Sequence, residues 1–178
     1  MSALNAKLRL ARDEDVEALA ELKLQTFRET FIHGFAIPYP PADLAAFEQS
    51  HYAPAIVAAE LANPARTTWV GEAPDGRLMG YAQVGPCKLP HPEVTPDAGE
   101  LYQIYVRNEA QGIGLGGQLM RVALGHLERT KPGPIWLGVW ENNLRAQAVY
   151  AGRGFRAVGS YSFMVGDWED RDLIFRRD

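Results

Sequence analysis

Glycine-rich residues 111–117 have the composition of a turn that binds phosphate. They read Gln-Gly-Ile-Gly-Leu-Gly-Gly between a predicted strand and a predicted amphipathic helix. Glycines let a backbone turn tightly and expose successive N–H groups at a helix N-terminus, where unsatisfied donors and the helix dipole attract phosphate oxygens. The candidates for binding a diphosphate are Gly112, Ile113, Gly114, Leu115, Gly116 and Gly117. Plain strand-to-helix connections can also be rich in glycine, so the rest of the chain must decide.

A dinucleotide site is a competing interpretation of the same turn. Gly112, Gly114 and Gly117 satisfy the G-x-G-x-x-G pattern, and Glu141 follows at a suitable distance to meet a ribose hydroxyl. That pattern needs its first glycine directly at the strand end, whereas residues 107–111 intervene here. The chain also opens with helices and a hairpin instead of a βαβ unit. A nicotinamide enzyme is therefore disfavoured, and no Gly-Lys-Ser/Thr follows that would indicate a kinase-type phosphate loop.

Two motifs in sequence order resemble the acyl-CoA-binding core of the GNAT superfamily of N-acetyltransferases. The first, Gln/Arg-x-x-Gly-x-Gly/Ala, is matched by Gln111, Gly114 and Gly116 after the run Glu-Leu-Tyr-Gln-Ile-Tyr-Val at 100–106. The second is matched by Asn143, Ala146, Tyr150, Gly154 and Phe155. The resemblance covers residues 100–155. A weaker one, at 30–44, 135–141 and 163–172, is to the branch of spermidine/spermine acetyltransferases.

The resemblance implies a fold, a cosubstrate and a set of binding residues. It predicts a mixed α/β, three-layer GNAT-like fold whose largely antiparallel sheet has a splayed central strand pair and helices on both faces. The cosubstrate would be acetyl-CoA, with its diphosphate on the N–H groups of residues 112–117. The pantetheine arm would bind the backbone of Ile104, Tyr105 and Val106, and Gln111 and Asn143 complete the predicted cofactor site. Asn is also a preferred helix N-cap, and the two roles of Asn143 are compatible.

Transfer of an acetyl group to an amine needs a neutral nitrogen nucleophile, stabilisation of the oxyanion and a proton for the departing thiolate. By family resemblance, Tyr150 gives the proton to sulfur; the alternative is that it only packs against the sheet. Glu100 is the candidate base, because an alkylammonium of pKa about 10.4 must lose a proton before it attacks. The alternatives are that Glu100 is a solvated or structural carboxylate and that ordered water serves as the base.

The acceptor pocket is expected around Glu29, His33, Phe35 and Tyr39, together with the Pro-rich loop 85–99 and a late loop near Phe163 and Asp167. The formal net charge of −4 suits a small cationic amine, a polyamine among them. An amine on a protein or peptide is a less favoured acceptor. From another class, a non-catalytic acyl-CoA-binding or regulatory domain is also an alternative. The 4 histidines show no metal-ligand spacing, so no metal is expected.

Hydrophobic periodicity and Gly/Pro punctuation predict the elements that position these residues. A strand at 7–11 precedes a long helix, which Asp13 caps and which reaches Phe31; a second, broken helical segment follows at 42–53 and 54–63. Residues 67–72 and 78–84 form a predicted hairpin. The predicted core then comprises a strand at 101–106, a helix at 114–130, a strand at 135–140, a helix at 143–151, and strands at 155–161 and 170–176.

Composition limits the remaining classes. With 178 residues, 47% of them hydrophobic, the chain is expected to form one acyltransferase domain over residues 1–178. The net negative charge argues against nucleic acid as a partner. One cysteine, Cys87, excludes an intramolecular disulfide, and no signal peptide or membrane-spanning run is visible. We therefore expect a cytoplasmic protein, monomeric or homodimeric, without a membrane partner.

Overall fold

Seven strands form one mixed sheet in the computed structural model, which describes residues 5–178. The strands are Lys7–Leu10 (β1), Thr67–Glu72 (β2), Leu78–Pro86 (β3), Gly99–Val106 (β4), Ile135–Trp140 (β5), Arg156–Val165 (β6) and Trp168–Arg177 (β7). Their order across the sheet is β1-β2-β3-β4-β5-β7-β6. Every neighbouring pair is antiparallel except β4 and β5, which are parallel. The predicted mixed and largely antiparallel sheet is confirmed.

Helices cover both faces of this sheet. The α-helices within the described residues are Val16–Phe27 (α1), Pro41–Tyr52 (α2), Pro54–Ala62 (α3), Leu115–Thr130 (α4) and Leu144–Ala151 (α5). On one face, α4 buries Leu119 and Leu127 in a cluster that also includes Tyr150 of α5. On the other, α1 buries Leu19 and Leu22 against Val57 of α3. The GNAT-like layer arrangement expected from the sequence is thus present.

Two local expectations differ from the structure. The first helix is divided, because a 3₁₀ turn at Asp13–Asp15 precedes α1 and a π-helix at Arg28–Gly34 extends it. Asp15, not Asp13, is the N-cap residue of α1, and its carboxylate accepts the Arg12 N–H at 2.7 Å as part of a capping box around the 3₁₀ turn. The last two strands are longer than predicted. Phe163 consequently lies within β6, and only the residues between Val165 and Trp168 form the turn.

The central strands β4 and β5 separate soon after they begin. They pair only at Gly99 with Ile135 and at Glu100 with Trp136. In the β3–β4 register, Gln83 faces Gln103 and Val84 faces Leu101, so Tyr102 is an extra, bulged residue. Past this bulge β4 no longer pairs with β5. The splayed central pair that the family resemblance implies is therefore present, and we call the space between the diverging strands the β4/β5 gap.

Candidate active site

The glycine turn before α4 presents an open row of backbone donors. Gly112 and Gly114 adopt φ values of 81° and 86°, which favour glycine. Within the described part of the chain, no hydrogen bond is donated by the N–H groups of residues 112–117. A Cβ added at Gly112, Gly114 or Gly117 would meet no atom within 4 Å. Free donors, clear space and the positive end of the α4 dipole suit a phosphate group.

A short 3₁₀ turn at Asn108–Ala110 connects β4 to the glycine turn. Gln111 supports this connection, because its Nε2 donates to the Val106 carbonyl at 3.3 Å and to Asn108 Oδ1 at 3.1 Å. From the opposite direction, Glu29 Oε2 accepts the Asn108 N–H at 2.9 Å, and Glu29 Oε1 accepts from Gln25 at 3.0 Å. Glu29, predicted from sequence to bind the acceptor, therefore has both carboxylate oxygens hydrogen-bonded by protein donors, one of them in the turn that leads to the glycine turn.

The part of β4 beyond the bulge offers a free backbone edge to the β4/β5 gap. Residues 103–106 pair with β3 on one side and have no β5 partner on the other. The side chains of Ile104 and Val106 pack toward the α4 core. Tyr105 faces the opposite side, where its ring centroid lies 6.4 Å from that of Phe31. Unpaired strand amides and carbonyls can hydrogen-bond an extended ligand as a further strand would.

Tyr150 on α5 packs in the same hydrophobic cluster as Ile104 and Val106 of β4 and Val139 of β5, on both strands that border the gap, and its hydroxyl has no protein partner among residues 5–178. Its ring contacts Phe155 and Phe175 at centroid distances of 6.1 and 6.5 Å. Burial raises the pKa of Tyr150 to about 12, so the phenol is protonated at neutral pH. The helix that carries it starts at a cap, because Asn143 Oδ1 accepts the Ala146 N–H at 3.1 Å. The predicted capping role of Asn143 is confirmed.

Glu100 lies at the closed end of the gap, on the last pair that joins β4 to β5. Its side chain is only 5% exposed, and its Oε2 accepts the Lys88 N–H at 2.9 Å. Burial raises the pKa of Glu100 to about 7, although the Lys88 contact and the charge of Arg66 partly oppose the shift. A carboxylate with this pKa can accept a proton near neutral pH.

The predicted acceptor residues are distributed over the face of the sheet opposite Tyr150. Tyr39 is buried, and its hydroxyl donates to Asp170 Oδ2 at 2.6 Å, while Trp168 Nε1 donates to Asp170 Oδ1 at 2.9 Å. Desolvation, followed by the bond to Asp170, raises the pKa of Tyr39. His33 is exposed on the π-helix. Tyr39 is therefore hydrogen-bonded to β7 through Asp170, whereas the His33 side chain is exposed to solvent.

A cavity of about 390 Å³ opens on this face, at the ends of β5 and β7. The aromatic rings of Phe35, Trp140 and Trp168 form part of its wall; the ring centroids of Phe35 and Trp140 are 4.7 Å apart. Its charged lining residues are Glu141, Glu169, Asp170 and Arg171. Arg171 pairs with Glu141 at 3.5 Å, so the wall is acidic overall. Such a cavity can accommodate a cation with an apolar body.

Two polar residues beside the gap were not singled out from the sequence. The hydroxyl of Tyr161 on β6 donates to Asp172 Oδ2 on β7 at 3.4 Å. Their signal in the sequence is weak, because each occupies one position of an alternating strand. Placement next to the gap depends on the insertion of β7 between β5 and β6, which spacing along the chain does not reveal.

The opened sheet and the glycine turn together define a class, that of acyltransferases with the GNAT fold. The chain belongs to the acetyltransferase (GNAT) family, whose model matches residues 16–155. It is 31% identical over 150 residues to an uncharacterized N-acetyltransferase of Lactobacillus delbrueckii subsp. lactis, covering 84% of this chain and 86% of the relative. An uncharacterized N-acetyltransferase of Mycobacterium bovis is 28% identical, with 92% and 97% covered.

The structure also resembles a crystal structure of the PaiA N-acetyltransferase from Thermoplasma acidophilum in complex with coenzyme A. The TM-score is 0.74 at 18% identity, and the match covers 97% of this chain and 98% of that one. This similarity supports the fold. From its family, the protein is an N-acetyltransferase that uses acetyl-CoA. No helix within residues 5–178 combines the length and apolar character that a membrane span requires.

Proposed function

We propose that the protein transfers the acetyl group of acetyl-CoA to a primary amine on a small cationic molecule, by direct attack in a ternary complex. The observation that carries the proposal is the unpartnered hydroxyl of Tyr150 beside the β4/β5 gap. The acidic, aromatic cavity on the other face of the sheet supports a cationic acceptor. A polyamine of the kind used by the spermidine/spermine branch is one candidate.

In this proposal, backbone groups bind the cosubstrate. The N–H groups of residues 112–117 bind the diphosphate, and the open space around their glycines supports this role. The free edge of Ile104, Tyr105 and Val106 hydrogen-bonds the amides of pantetheine. Gln111 acts by holding the turn in place, and Asn143 acts by fixing the start of α5.

The reaction needs three proton transfers around one bond exchange: the nitrogen loses one proton before attack and one after it, and sulfur gains one. The amine nitrogen forms a bond to the thioester carbon, and the bond from that carbon to sulfur breaks. Tyr150 donates its proton to the departing thiolate. Because its pKa is about 12 and that of a thiol is about 8.5, a completed transfer costs about 5 kcal/mol, so donation must accompany cleavage. The nitrogen of the adduct loses its second proton to solvent, and the phenolate regains a proton from solvent.

Glu100 accepts the proton that the acceptor ammonium must lose. Its pKa of about 7 keeps a large fraction ionised at neutral pH while preserving basicity. Cys87 does not serve as an acyl carrier in this mechanism. Desolvation raises its pKa to about 12, so its sulfur stays a thiol, which is a poor nucleophile.

Several finer expectations remain predictions. These are the cytoplasmic location, the monomeric or homodimeric state and a single domain over residues 1–178. Transfer to an amine of a protein or peptide is the alternative acceptor class. A non-catalytic acyl-CoA-binding domain is not favoured, because the family and its relatives are acetyltransferases.

The test is release of thiol from acetyl-CoA across a panel of amines, with initial rates measured over a matrix of both substrates. We expect acceptor-dependent release and double-reciprocal lines that intersect, as direct attack requires. Parallel lines would indicate an acyl-enzyme instead. Binding of CoA without release for any acceptor would support the non-catalytic alternative and overturn the proposal.

A further inference from the structure

Tyr161 and Asp172 occupy facing positions of β6 and β7, and Asp172 also faces Trp140 of β5. The Tyr161 hydroxyl lies directly over the middle of β5, because a Cβ added at Gly138 would stand 2.7 Å from its oxygen. A Cβ at position 138 would therefore require the Tyr161 side chain to shift from this position. The pair is held over the strand that borders the β4/β5 gap.

The position of Tyr161 relative to the gap follows from the strand register. Trp136 is the last β5 residue that pairs with β4, and Gly138 lies two positions further along, where the strands have separated. Tyr150 contacts Phe175, which belongs to the α4 core. Asp172 and Phe175 are an odd number of residues apart on β7, so their side chains leave opposite faces of the sheet. Tyr150 and Tyr161 thus approach the gap from opposite sides.

Asp172 lies near other negatively charged side chains, and within the described residues no positively charged side chain pairs with it. It is half-buried, and its one protein partner there is the Tyr161 hydroxyl. Desolvation and the nearby charges of Asp170 and Glu141 raise its pKa to about 6. Burying a carboxylate without a positive partner is unfavourable, and a bound cation would relieve this cost.

We propose that Asp172 binds the ammonium group of the acceptor and, held in place by Tyr161, directs it into the β4/β5 gap opposite Tyr150. The inference rests on the proposed function and specifies its substrate class. Trp140, the register partner of Asp172, also forms part of the wall of the 390 Å³ cavity. An ammonium at Asp172 can therefore extend its apolar body between Trp140 and the other aromatic rings. The substrate class is a primary alkylamine, positively charged at neutral pH.

The experiment compares Asp172→Asn with the wild-type enzyme on two acceptors. One is a straight-chain primary alkylamine, which is cationic at pH 7.5, and the other is an arylamine, which is uncharged there. We expect the KM for the alkylamine to rise by about 10- to 100-fold, the range for a lost charge-assisted hydrogen bond. The kcat, the KM for acetyl-CoA and the rate with the arylamine stay within about threefold of wild type.

Two further variants separate binding from structure. Glu21→Gln removes the same charge from an exposed position on α1, which does not line the cavity, and should leave the alkylamine KM unchanged. Tyr161→Phe keeps the Asp172 charge and loses only its hydrogen bond, so its KM should rise less than that of Asp172→Asn.

Different outcomes would overturn this inference alone or the proposed function as well. An unchanged alkylamine KM in Asp172→Asn, or an equal loss with both acceptors, would overturn this inference while leaving acetyl transfer intact. Absence of wild-type turnover with every amine would instead overturn the proposed function, and this inference with it. A thermal unfolding midpoint measured for each variant verifies that the compared proteins are folded.

Discussion

Glu29 accepts a hydrogen bond from the backbone N–H of Asn108 at 2.9 Å, across 79 residues of sequence. Glu29 belongs to the π-helix that also carries Phe31, whose ring lies near Tyr105 and Trp140 on the proposed acceptor side of the sheet. Asn108 begins the 3₁₀ turn that leads to the glycine turn. One hydrogen bond thus joins the π-helix to the segment proposed to hold the diphosphate.

Breaking this link should affect both substrates. For Glu29→Ala we expect the KM values for acetyl-CoA and for the acceptor to rise together, by about 3- to 10-fold. The loss in unfolding free energy should stay below about 1 kcal/mol, because the contact is exposed. Steady-state kinetics and urea denaturation measure the two quantities. Glu29→Gln is the control, since its amide oxygen can still accept the Asn108 N–H; a rise confined to the acceptor KM would contradict the link.

The glycine turn gives a second prediction. Gly114 has a φ of 86°, a conformation that a β-branched residue strongly disfavours, and its Cβ position faces open space. We expect Gly114→Val to raise the Kd for acetyl-CoA by at least about 10-fold, measured by calorimetry. Gly125→Ala is the matched control, because it adds a methyl group within α4 where the nearest atom belongs to the flexible Arg129 side chain. Unchanged acetyl-CoA binding in Gly114→Val would place the diphosphate elsewhere.

The role of Tyr150 gives a third prediction. Tyr150→Phe keeps the ring that packs on Phe155 and Phe175 and removes only a hydroxyl without a protein partner. The fold and the Kd for acetyl-CoA should therefore be unchanged. The kcat should fall by about 10- to 10⁴-fold, the range for lost acid catalysis with partial replacement by water. Full activity in this variant would remove Tyr150 from the mechanism.

Glu100 gives a prediction about pH. As a base with a pKa of about 7, it should make kcat/KM rise as the pH increases through about 7. In Glu100→Gln this increase in kcat/KM should be absent. The same increase in the variant would show that another group is the base. Acceptors of different ammonium pKa provide the control, because an increase caused by ionisation of the substrate would shift in pH with the pKa of the acceptor.

The raised pKa of Glu100 also predicts that ionisation of its carboxyl group destabilises the folded protein, whereas ionisation of a salt-bridged carboxylate stabilises it. The folded-state pKa of Glu100, about 7, exceeds the ordinary value of 4.5, so the folded state binds more protons between these values. Stability should therefore decrease as pH rises from about 4.5 to about 7, by up to ~3 kcal/mol relative to Glu100→Gln. Urea unfolding of both proteins at pH 5 and pH 8 measures the difference; an equal response to pH would contradict the burial effect.

Local signals in the sequence were sufficient to predict the elements that are proposed to bind the cosubstrate. The glycines of the turn report backbone conformation directly, and Asn143 reports a helix start, since both effects act within a few residues. The strand and hairpin pattern likewise follows from alternation and from turn residues. These features could be predicted because the physical cause and the sequence signal lie in the same short segment.

The acceptor side could not be predicted to the same degree. Tyr39 meets Asp170 across 131 residues, and no local pattern marks that contact. Tyr161 and Asp172 reach the gap only because β7 lies between β5 and β6. The late loop expected near Phe163 is instead part of a long hairpin, in which Phe163 packs against Phe47 of α2. Strand order and hairpin length decide these contacts, and both are set by packing of the whole sheet.

If the cosubstrate binds between the diverging strands β4 and β5, as proposed, the stability of the protein should depend on the supply of acetyl-CoA. Residues 103–106 offer strand amides and carbonyls on a side where a neighbouring strand would ordinarily complete the sheet. A ligand that occupies this edge only in the native chain opposes unfolding by mass action, by about 2.7 kcal/mol at a hundredfold excess over its dissociation constant. Resistance to proteolysis should then follow the acetyl-CoA concentration, so that scarcity of the cosubstrate would remove the enzyme as well as slow it.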